Sequence, residues 1–448
     1  MRGANRSTGD RGAWRAWATQ GSLAITDEAL ISGSNFALGI VLARWLNAEQ
    51  YGAYALAFSL FLLLGVFHQA ILLEPMSVFG PAFFVRNRRQ YLAALLSLHA
   101  GMSALILLAL GGSSLLAARL PWGAGVSEAL AGLAIGAPFI LLFWTARAAC
   151  YLELAPGRAV AGALIYSALL LGGLCAVCRW GKVAPFTVFL LMGSAALVVS
   201  VVMLVRLRPS WKGLAPVLRD AWRWHWDYGR WALGTALVTW VPGNIFYLGA
   251  GALLGVGNAG ALRALNNFIL PVHHCGSALG RLFQPHVSRA YGREGAYGVQ
   301  GPVRNLTLLF AAGGAAYAIL FSLFHAPLFR LLYGGKYAEY SWLVSWATAG
   351  AVFQVAAYGP SIGLRAMQAP SSLFAGFCAA AAVAILGGIP AIRLWGLPGA
   401  VGASAAATLT AFAITQAVFR RKAEALAGQS PGPASRVSAP QLFRESES

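Results

Sequence analysis

"LAITDEALISGSNFALGIVLARWL", residues 23–46, is long and apolar enough to cross a bilayer, yet it carries Asp27 and Glu28 side by side. About 20 apolar residues in a helix span the roughly 30 Å hydrocarbon core, so this stretch decides whether the chain belongs in water or in lipid. Composition answers in favour of lipid. Of the 448 residues 58% are hydrophobic and 10% are charged, against roughly 25% charged in soluble chains. A soluble core cannot absorb that much apolar surface.

Working outward from the quoted stretch, hydropathy places spans near 21–43, 53–74, 91–110, 128–151, 159–178 and 185–206, and after a basic interval near 231–254, 258–282, 303–325, 342–363, 371–392 and 398–419. The sequence therefore predicts an all-α polytopic membrane protein of about 12 transmembrane helices. The formal charge of +19 taken alone suits a nucleic-acid partner, but the basic residues sort by side of the membrane. Only Arg44, Arg119, Arg179, Lys182, Arg263, Arg330, Lys336 and Arg393 fall in the outer half, and the other 25 of the 33 Lys and Arg lie in the inner segments. That bias is the positive-inside pattern, which puts both termini in the cytoplasm and leaves no basic stripe for a nucleic-acid partner.

The first twenty residues lack a small-residue cleavage site before a short apolar run, so they are not read as a removable signal; Trp14 and Trp17 among arginines read as an interfacial anchor. The five cysteines form no metal or disulfide framework, and "CAVC" at 175–178 reads as core packing. The tail from 428 is rich in Pro, Ser and Gly and reads as disordered. The resulting organisation is a basic segment 1–20, a first lobe 21–206, an interfacial linker 207–230, a second lobe 231–420 and a cytoplasmic tail 421–448. In the linker, Trp222, Trp226, Arg219, Arg223 and Arg230 recur at three- and four-residue spacing, as in a helix lying among anionic headgroups.

The chain also repeats itself. "LGGLCAVCRWG" (171–181) aligns without a gap on "LGGIPAIRLWG" (386–396), and "LELAPGRA" (152–159) falls near "AMQAPSSL" (366–373). A weaker echo sets "WLNAEQYGAYAL" (45–56) beside "LLGVGNAGALRA" (253–264). Copies of six spans each share an orientation, so their symmetry axis runs along the membrane normal and two six-helix lobes face each other across a central cavity.

Polar residues inside the spans mark what that cavity does. Glu28, Ser32, Asn35 and Gly39 share one helical stripe, with Asp27 turned about 100° away. An acid near the bilayer centre costs about 2.5–3.5 kcal/mol on insertion scales, so the pair needs a partner, a proton or water. Asp27, Glu28 and Glu74 are candidates for coupling to an ion. Arg147 is a candidate for binding substrate or for pairing with Asp27, Glu28 or Glu74, because a planar guanidinium holds carboxylate or phosphate by two oxygens. In "RALNNFILPVHHCG", Arg263, Asn267 and His274 fall on one face with Pro271 kinking the helix between them, and Pro242-Gly243-Asn244 predicts a second mid-membrane break. His68 and His99 read as hydrogen-bonded packing residues, and Glu153 as a solvated residue at a helix end. No P-loop, HExxH or GxSxG motif occurs, so no cofactor, metal or hydrolytic chemistry is expected.

"DEALISGSNFALGIVLARWLNAEQYGAYALAFSL" (27–60), "QAILLEPMSVFGP" (69–81), "FWTARAACYLELAPGRAV" (143–160), "ALRALNNFILP" (261–271) and "LLYGGKYAEYSWLV" (331–344) together resemble the bacterial Wzx-type oligosaccharide flippases of the multidrug/oligosaccharidyl-lipid/polysaccharide exporter superfamily. The likeness covers most of residues 21–420 and is diffuse, since that family has no strict catalytic signature. It implies an inner-membrane protein that moves an undecaprenyl-diphosphate-linked, anionic glycan repeat unit from the cytoplasmic to the periplasmic leaflet for surface or exopolysaccharide export. Alternating access coupled to a proton or cation, with membrane lipids and a polysaccharide polymerase or chain-length machinery as partners, is implied with it. Arg147, Arg263, Asn267 and His274 would hold the diphosphate and sugars. That family often has Asp-Gln where this chain has Asp27-Glu28. A drug or metabolite antiporter of the same superfamily is the alternative. A polymerase or ligase would need a large outer loop, and the outer loops here are short.

Overall fold

The structure, a computed structural model, describes residues 6–427 apart from 85, 121, 122, 368 and 370, with side chains described from residue 22 onward except those of 82, 278, 281, 282 and 285. The expectations for Trp14, Trp17 and the tail from 428 lie outside those described residues and side chains.

Among the described residues the chain is helical throughout, with no strand. In order come α1 (Arg6–Trp45), α2 (Ala48–His68), a π-helical turn (Gln69–Leu73), α3 (Glu74–Phe83), α4 (Arg88–Ala117), α5 (Ala124–Leu152), α6 (Pro156–Arg179) and α7 (Pro185–Leu207), then α8 (Leu214–Leu254), α9 (Val256–Asn266), α10 (Leu270–Leu323), α11 (His325–Tyr333), α12 (Leu343–Ala356), α13 (Tyr358–Ala366), α14 (Ser371–Ala382) and, after a second π-helical turn (Val383–Gly387), α15 (Gly388–Ala427). Among the described residues nine stretches are long and apolar enough to cross a membrane by length and composition. The last runs from Ser371 to Ala427 and is divided at Gly396, whose φ of 63° no helix interior adopts. Two more passages are each made of shorter pieces, α9 with the start of α10 and α12 with α13, which recovers the twelve spans read from hydropathy.

Local chemistry sets the ends. Asn47 caps α2, its Oδ1 accepting from the Gln50 amide at 2.8 Å while Gln50 Oε1 accepts from the Asn47 amide at 3.3 Å, a complete capping box. Pro156 and Pro185 open α6 and α7 at positions where no amide hydrogen is needed. The outward faces are apolar and exposed, for instance Leu105, Leu108, Leu115 and Leu116 on α4 and Val198, Val201 and Val205 on α7, as a lipid-facing surface requires. Within each lobe small residues bring backbones together: a Cβ on Gly193 of α7 would lie 2.6 Å from the Gly136 Cα of α5, and one on Gly314 of α10 would lie 3.2 Å from the Val352 Cα of α12.

The repeats coincide with structure. Gly181 after α6 and Gly396, the final residues of the two aligned copies, are both left-handed, at φ 65° and 63°. Gly52 of α2 and Gly260 of α9 are the aligned glycines of the third echo, and they touch across the lobes. A Cβ on Gly52 would overlap the Val256 carbonyl, and one on Gly260 would lie 2.9 Å from the Ala48 carbonyl oxygen and 2.9 Å from the Gly52 nitrogen. Since Ala48 and Val256 are also equivalent, the contact is reciprocal, as at a two-fold axis.

That contact lies at the end of the bundle opposite the termini. There one hydrophobic core runs through both lobes, joining Leu38, Leu42 and Tyr54 to Ala264, Phe268, Tyr333 and Tyr337. At the basic end, which carries both ends of the described chain, the second lobe has a separate core built on Val287, Val303, Ile362, Leu364 and Phe419. The lobes are sealed at one end and parted at the other. Most of residues 22–37 of α1 and the 231–243 stretch of α8 are accordingly exposed or half-buried, while Leu38 to Ala43 and Asn244 to Gly251 are mostly buried.

Three expectations about helix breaks are corrected. Pro242 lies inside an unbroken α8, where Asn244 Nδ2 donates to the Trp240 carbonyl at 3.1 Å; a single proline removes one amide donor, and nearby polar groups and packing keep the helix whole. The linker is not a separate surface element, because α8 carries 207–230 from Leu214 onward straight into the next span. The break near Pro271 lies ahead of it, in the turn at 267–269, and Pro271 opens α10. Cys175 is exposed on α6, so "CAVC" is only partly core.

Candidate functional site

α1 packs on α6 and places Asp27 against α5. Arg147 Nε donates to Asp27 Oδ1 at 3.2 Å and Arg147 Nη2 to Oδ2 at 2.7 Å, a two-point ion pair, and the Tyr151 hydroxyl donates to Oδ2 at 2.7 Å. Tyr151 lies one turn beyond Arg147 on α5, so a single helix face presents both donors. The Asp27 side chain is 2% exposed and that of Arg147 14%. The guanidinium also lies 5.6 Å from the Phe143 ring centroid, and Tyr166 of α6 stacks on the same ring at 5.0 Å.

Glu28 is the half-exposed member, 49% accessible, with Oε2 3.9 Å from Arg147 Nη2 and Oε1 3.5 Å from the Ser32 hydroxyl. Its stripe can be oriented from the far end. Gly39, three turns on, lies 3.3 Å by its Cβ position from Asn267 Oδ1 of the other lobe. The same face of α1 therefore looks across to the second lobe, and at Glu28, where the lobes are parted, it looks into the gap. The site holds one fixed cation and two acids, a formal charge of −1 with all three ionised.

The residues read together in the second lobe sit elsewhere. Arg263 is buried at the sealed end, its guanidinium 4.6 Å from the Phe58 ring of the first lobe and hydrogen-bonded to Tyr247, with no acid paired to it among the described residues. Asn267 donates from Nδ2 to the hydroxyls of Tyr51 at 3.2 Å and Tyr333 at 3.3 Å, and Tyr333 in turn donates to the Ala264 carbonyl at 2.9 Å. Both are part of the seal. From Asp27 to Gly39 is 12 residues, about 18 Å along α1, so Arg263 and Asn267 do not share a site with Arg147 in this state. His274 follows the turn at 267–269 and lies beside His273 on α10, 5.8 Å ring to ring, and it is His273 that meets Tyr358 of α13. Glu74 opens α3 directly after the π-helical turn and takes part in none of the ion pairs among the described residues. Glu153 pairs with Arg158 at 2.9 Å at the basic end of α5.

Several functional positions escaped the sequence. Lys336, in the left-handed "GGKY" turn after α11, donates to the carbonyls of Arg44 at 2.7 Å and Leu46 at 2.8 Å, closing the last turn of α1 from the opposite lobe. Its burial pushes the ammonium pKa down. His225 of α8 is fully buried: Nδ1 lies 2.9 Å from the Ile71 carbonyl, which can only accept, so Nε2 accepts from the Tyr91 hydroxyl at 2.7 Å. Ile71 belongs to the π-helical turn, and His225 serves one of its carbonyls. His68 and His99 meet edge to face at 5.5 Å, with His68 Nε2 3.2 Å from the Thr145 hydroxyl. A cleft of about 580 Å³ opens between α1 and α11 at the sealed end, lined by Ile40, Val41, Arg44, Trp45, Leu331 and Leu332.

No protein-family model matches the sequence, and no curated protein sequence does. Solved structures do share its shape. An inward-facing conformation of a multidrug resistance MATE family transporter of the MOP superfamily superposes with a TM-score of 0.75 at 14% identity, over 90% of this chain and 96% of that one. The lipid II flippase MurJ in an inward closed conformation gives 0.68 at 12% identity over 91% and 86% of the two chains. A MOP superfamily transporter from Pyrococcus furiosus, described as having a binding pocket of reverse polarity, gives 0.64 at 14% identity over 90% and 96%. These are transporters and a flippase, none of them an enzyme, and the chain described here has the fold of the MOP-superfamily transporters.

Proposed function

We propose that the chain is a flippase for undecaprenyl-diphosphate-linked oligosaccharide repeat units, working by alternating access in the bacterial inner membrane with both termini in the cytoplasm. The observation that carries the reading is the placement of Arg147. Its guanidinium sits on the wall of a gap that is open at the basic end and sealed at the other, where a diphosphate entering from the cytoplasmic leaflet would meet it. A two-lobed frame with a lateral cleft suits a cargo whose head crosses between lobes while its polyprenyl tail stays in lipid. Asp27 and Glu28 are the groups that exchange a proton or cation during the cycle, with Glu74 nearer the basic end. Arg263, Asn267 and His274 act on the head group once the seal has opened.

A specific observation favours the second reading, a drug or metabolite antiporter. Arg147 is already neutralised by Asp27, and the surplus Glu28 gives the gap a negative charge that attracts cations. Gene deletion followed by a periplasm-restricted glycan label in intact cells tests the two. Lipid-linked oligosaccharide accumulating on the cytoplasmic side, restored by the intact gene and not by Arg147→Ala at equal amounts of folded protein, supports the flippase. An unchanged leaflet distribution overturns it in favour of the antiporter.

A further inference from the structure

Arg147 cannot serve two anions with one fork. Its Nε and Nη2 are both committed to Asp27, and Glu28 Oε2 stands 3.9 Å from the same Nη2. A diphosphate arriving at this guanidinium must either displace a carboxylate from a two-point pair or bind beside it against like charge. The groups facing Asp27 are few. α5 contributes Arg147, Tyr151 and Cys150, α1 contributes Glu28, and Tyr166 of α6 lies within the influence of Arg147. Arg158 is taken up by Glu153. Among the described residues no second cation pairs with either carboxylate.

We infer that Asp27 is a built-in competitor of the anionic head group for Arg147, so that an anionic cargo and a proton are taken up together at this site. The inference rests on the reading of Arg147 as the head-group site and adds the sign of its coupling. A proton on Asp27 removes the charge that holds the guanidinium and frees the fork. Binding free energies are linked reciprocally, so an anion on the fork equally favours the proton on Asp27. Tyr151 steadies the competitor: its O–H donates to the same Oδ2 that Arg147 Nη2 holds, which keeps the carboxylate beside the fork.

The test is the affinity of the full chain in nanodiscs for geranylgeranyl diphosphate, a short polyprenyl diphosphate, between about pH 8 and about pH 4, a range that crosses carboxylate titration. Titration of the probe itself is common to all proteins and drops out of their ratios. Asp27→Asn is expected to bind about tenfold tighter than the native chain at the alkaline end, a ratio within the usual range of coupling, and the ratio should fall toward one on acidification. Tyr151→Phe, which removes the hydroxyl that holds Asp27 Oδ2 beside the fork, should tighten binding at the alkaline end by a smaller factor than Asp27→Asn, a gain that a purely structural role would not give; it also carries the test should Asp27→Asn fail to fold. A pH-independent ratio, or Asp27→Asn binding no tighter than the native chain, overturns the competition while leaving the head-group assignment standing, provided Arg147→Gln abolishes binding. Binding that persists in Arg147→Gln, or that is absent from the native chain and Asp27→Asn alike, overturns both.

Discussion

The two ends of the inter-lobe boundary are built from different materials. At the sealed end the lobes meet through backbone and rings: glycine against carbonyl at Gly52 and Gly260, Lys336 on the carbonyls of Arg44 and Leu46, Arg263 over Phe58. At the parted end the ions pair inside one lobe. Asp27 with Arg147 and Glu153 with Arg158 both belong to the first, and among the described residues no ion pair crosses between lobes. The contrast separates two tasks. Opening the seal breaks many close contacts together, which makes it an all-or-none step, while the parted end changes shape without breaking a salt bridge, so its charge chemistry stays available in either state.

Filling the seal is the most severe way to break this contrast. Gly52→Val sets side-chain atoms on the Val256 carbonyl, and overpacking against backbone costs on the order of 3 kcal/mol. The expected result is loss of transport and labelling of a cysteine placed at Leu46, now fully buried, by a membrane-impermeant thiol reagent. Breaking the inner pair should leave that labelling untouched and act on stability. Asp27→Ala strands a mostly buried guanidinium, a change worth about 3 kcal/mol, read as a lowered Tm in detergent, and the Asp27→Ala/Arg147→Ala double variant should regain part of the loss. Lys336→Met removes two charge-assisted bonds between lobes, about 1–2 kcal/mol, and should give partial labelling at Leu46→Cys with transport slowed. Arg158→Ala, which breaks a half-exposed pair, should move stability by no more than about 0.5 kcal/mol; a larger effect would mean the basic end of the first lobe is more tightly held than its solvent access suggests.

Much of the frame was legible in the sequence because lipid imposes a simple rule: about 20 apolar residues per passage. Twelve passages, two lobes and the aligned "WG" and glycine echoes follow from hydropathy and self-similarity, and Gly181 and Gly396 share a positive φ. The pairing of Arg147 with Asp27 was one of three open partners, and only geometry chooses among them. Tyr151 could have been found, since it lies four residues past Arg147 on the same face. Of Arg263, Asn267 and His274, the first two do gather, both reaching Tyr51 in the seal, while His274 lies beyond the turn at 267–269, which a periodicity that assumes an unbroken helix does not register. Lys336 and His225 were hidden for a different reason: each acts on backbone carbonyls of a distant element, and a carbonyl leaves no mark in a sequence.

α8 has 41 residues without interruption, about 62 Å at 1.5 Å per residue, twice the thickness of the hydrocarbon it crosses. Near one end His225 and Gly229 grip the first lobe, and near the other Phe246 and Gly251 sit in the sealed core. A helix of this length keeps its angular phase, so the two grips are indexed to each other by residue count alone. One alanine inserted between residues 230 and 231 would turn every later side chain by about 100° relative to His225, and seven would return it to within about 20°. The rod thus works as a keyed shaft: whatever rotation the second lobe makes, the π-helical turn of α2 receives it through His225 at a fixed angle, and the chain can change that angle only in whole residues.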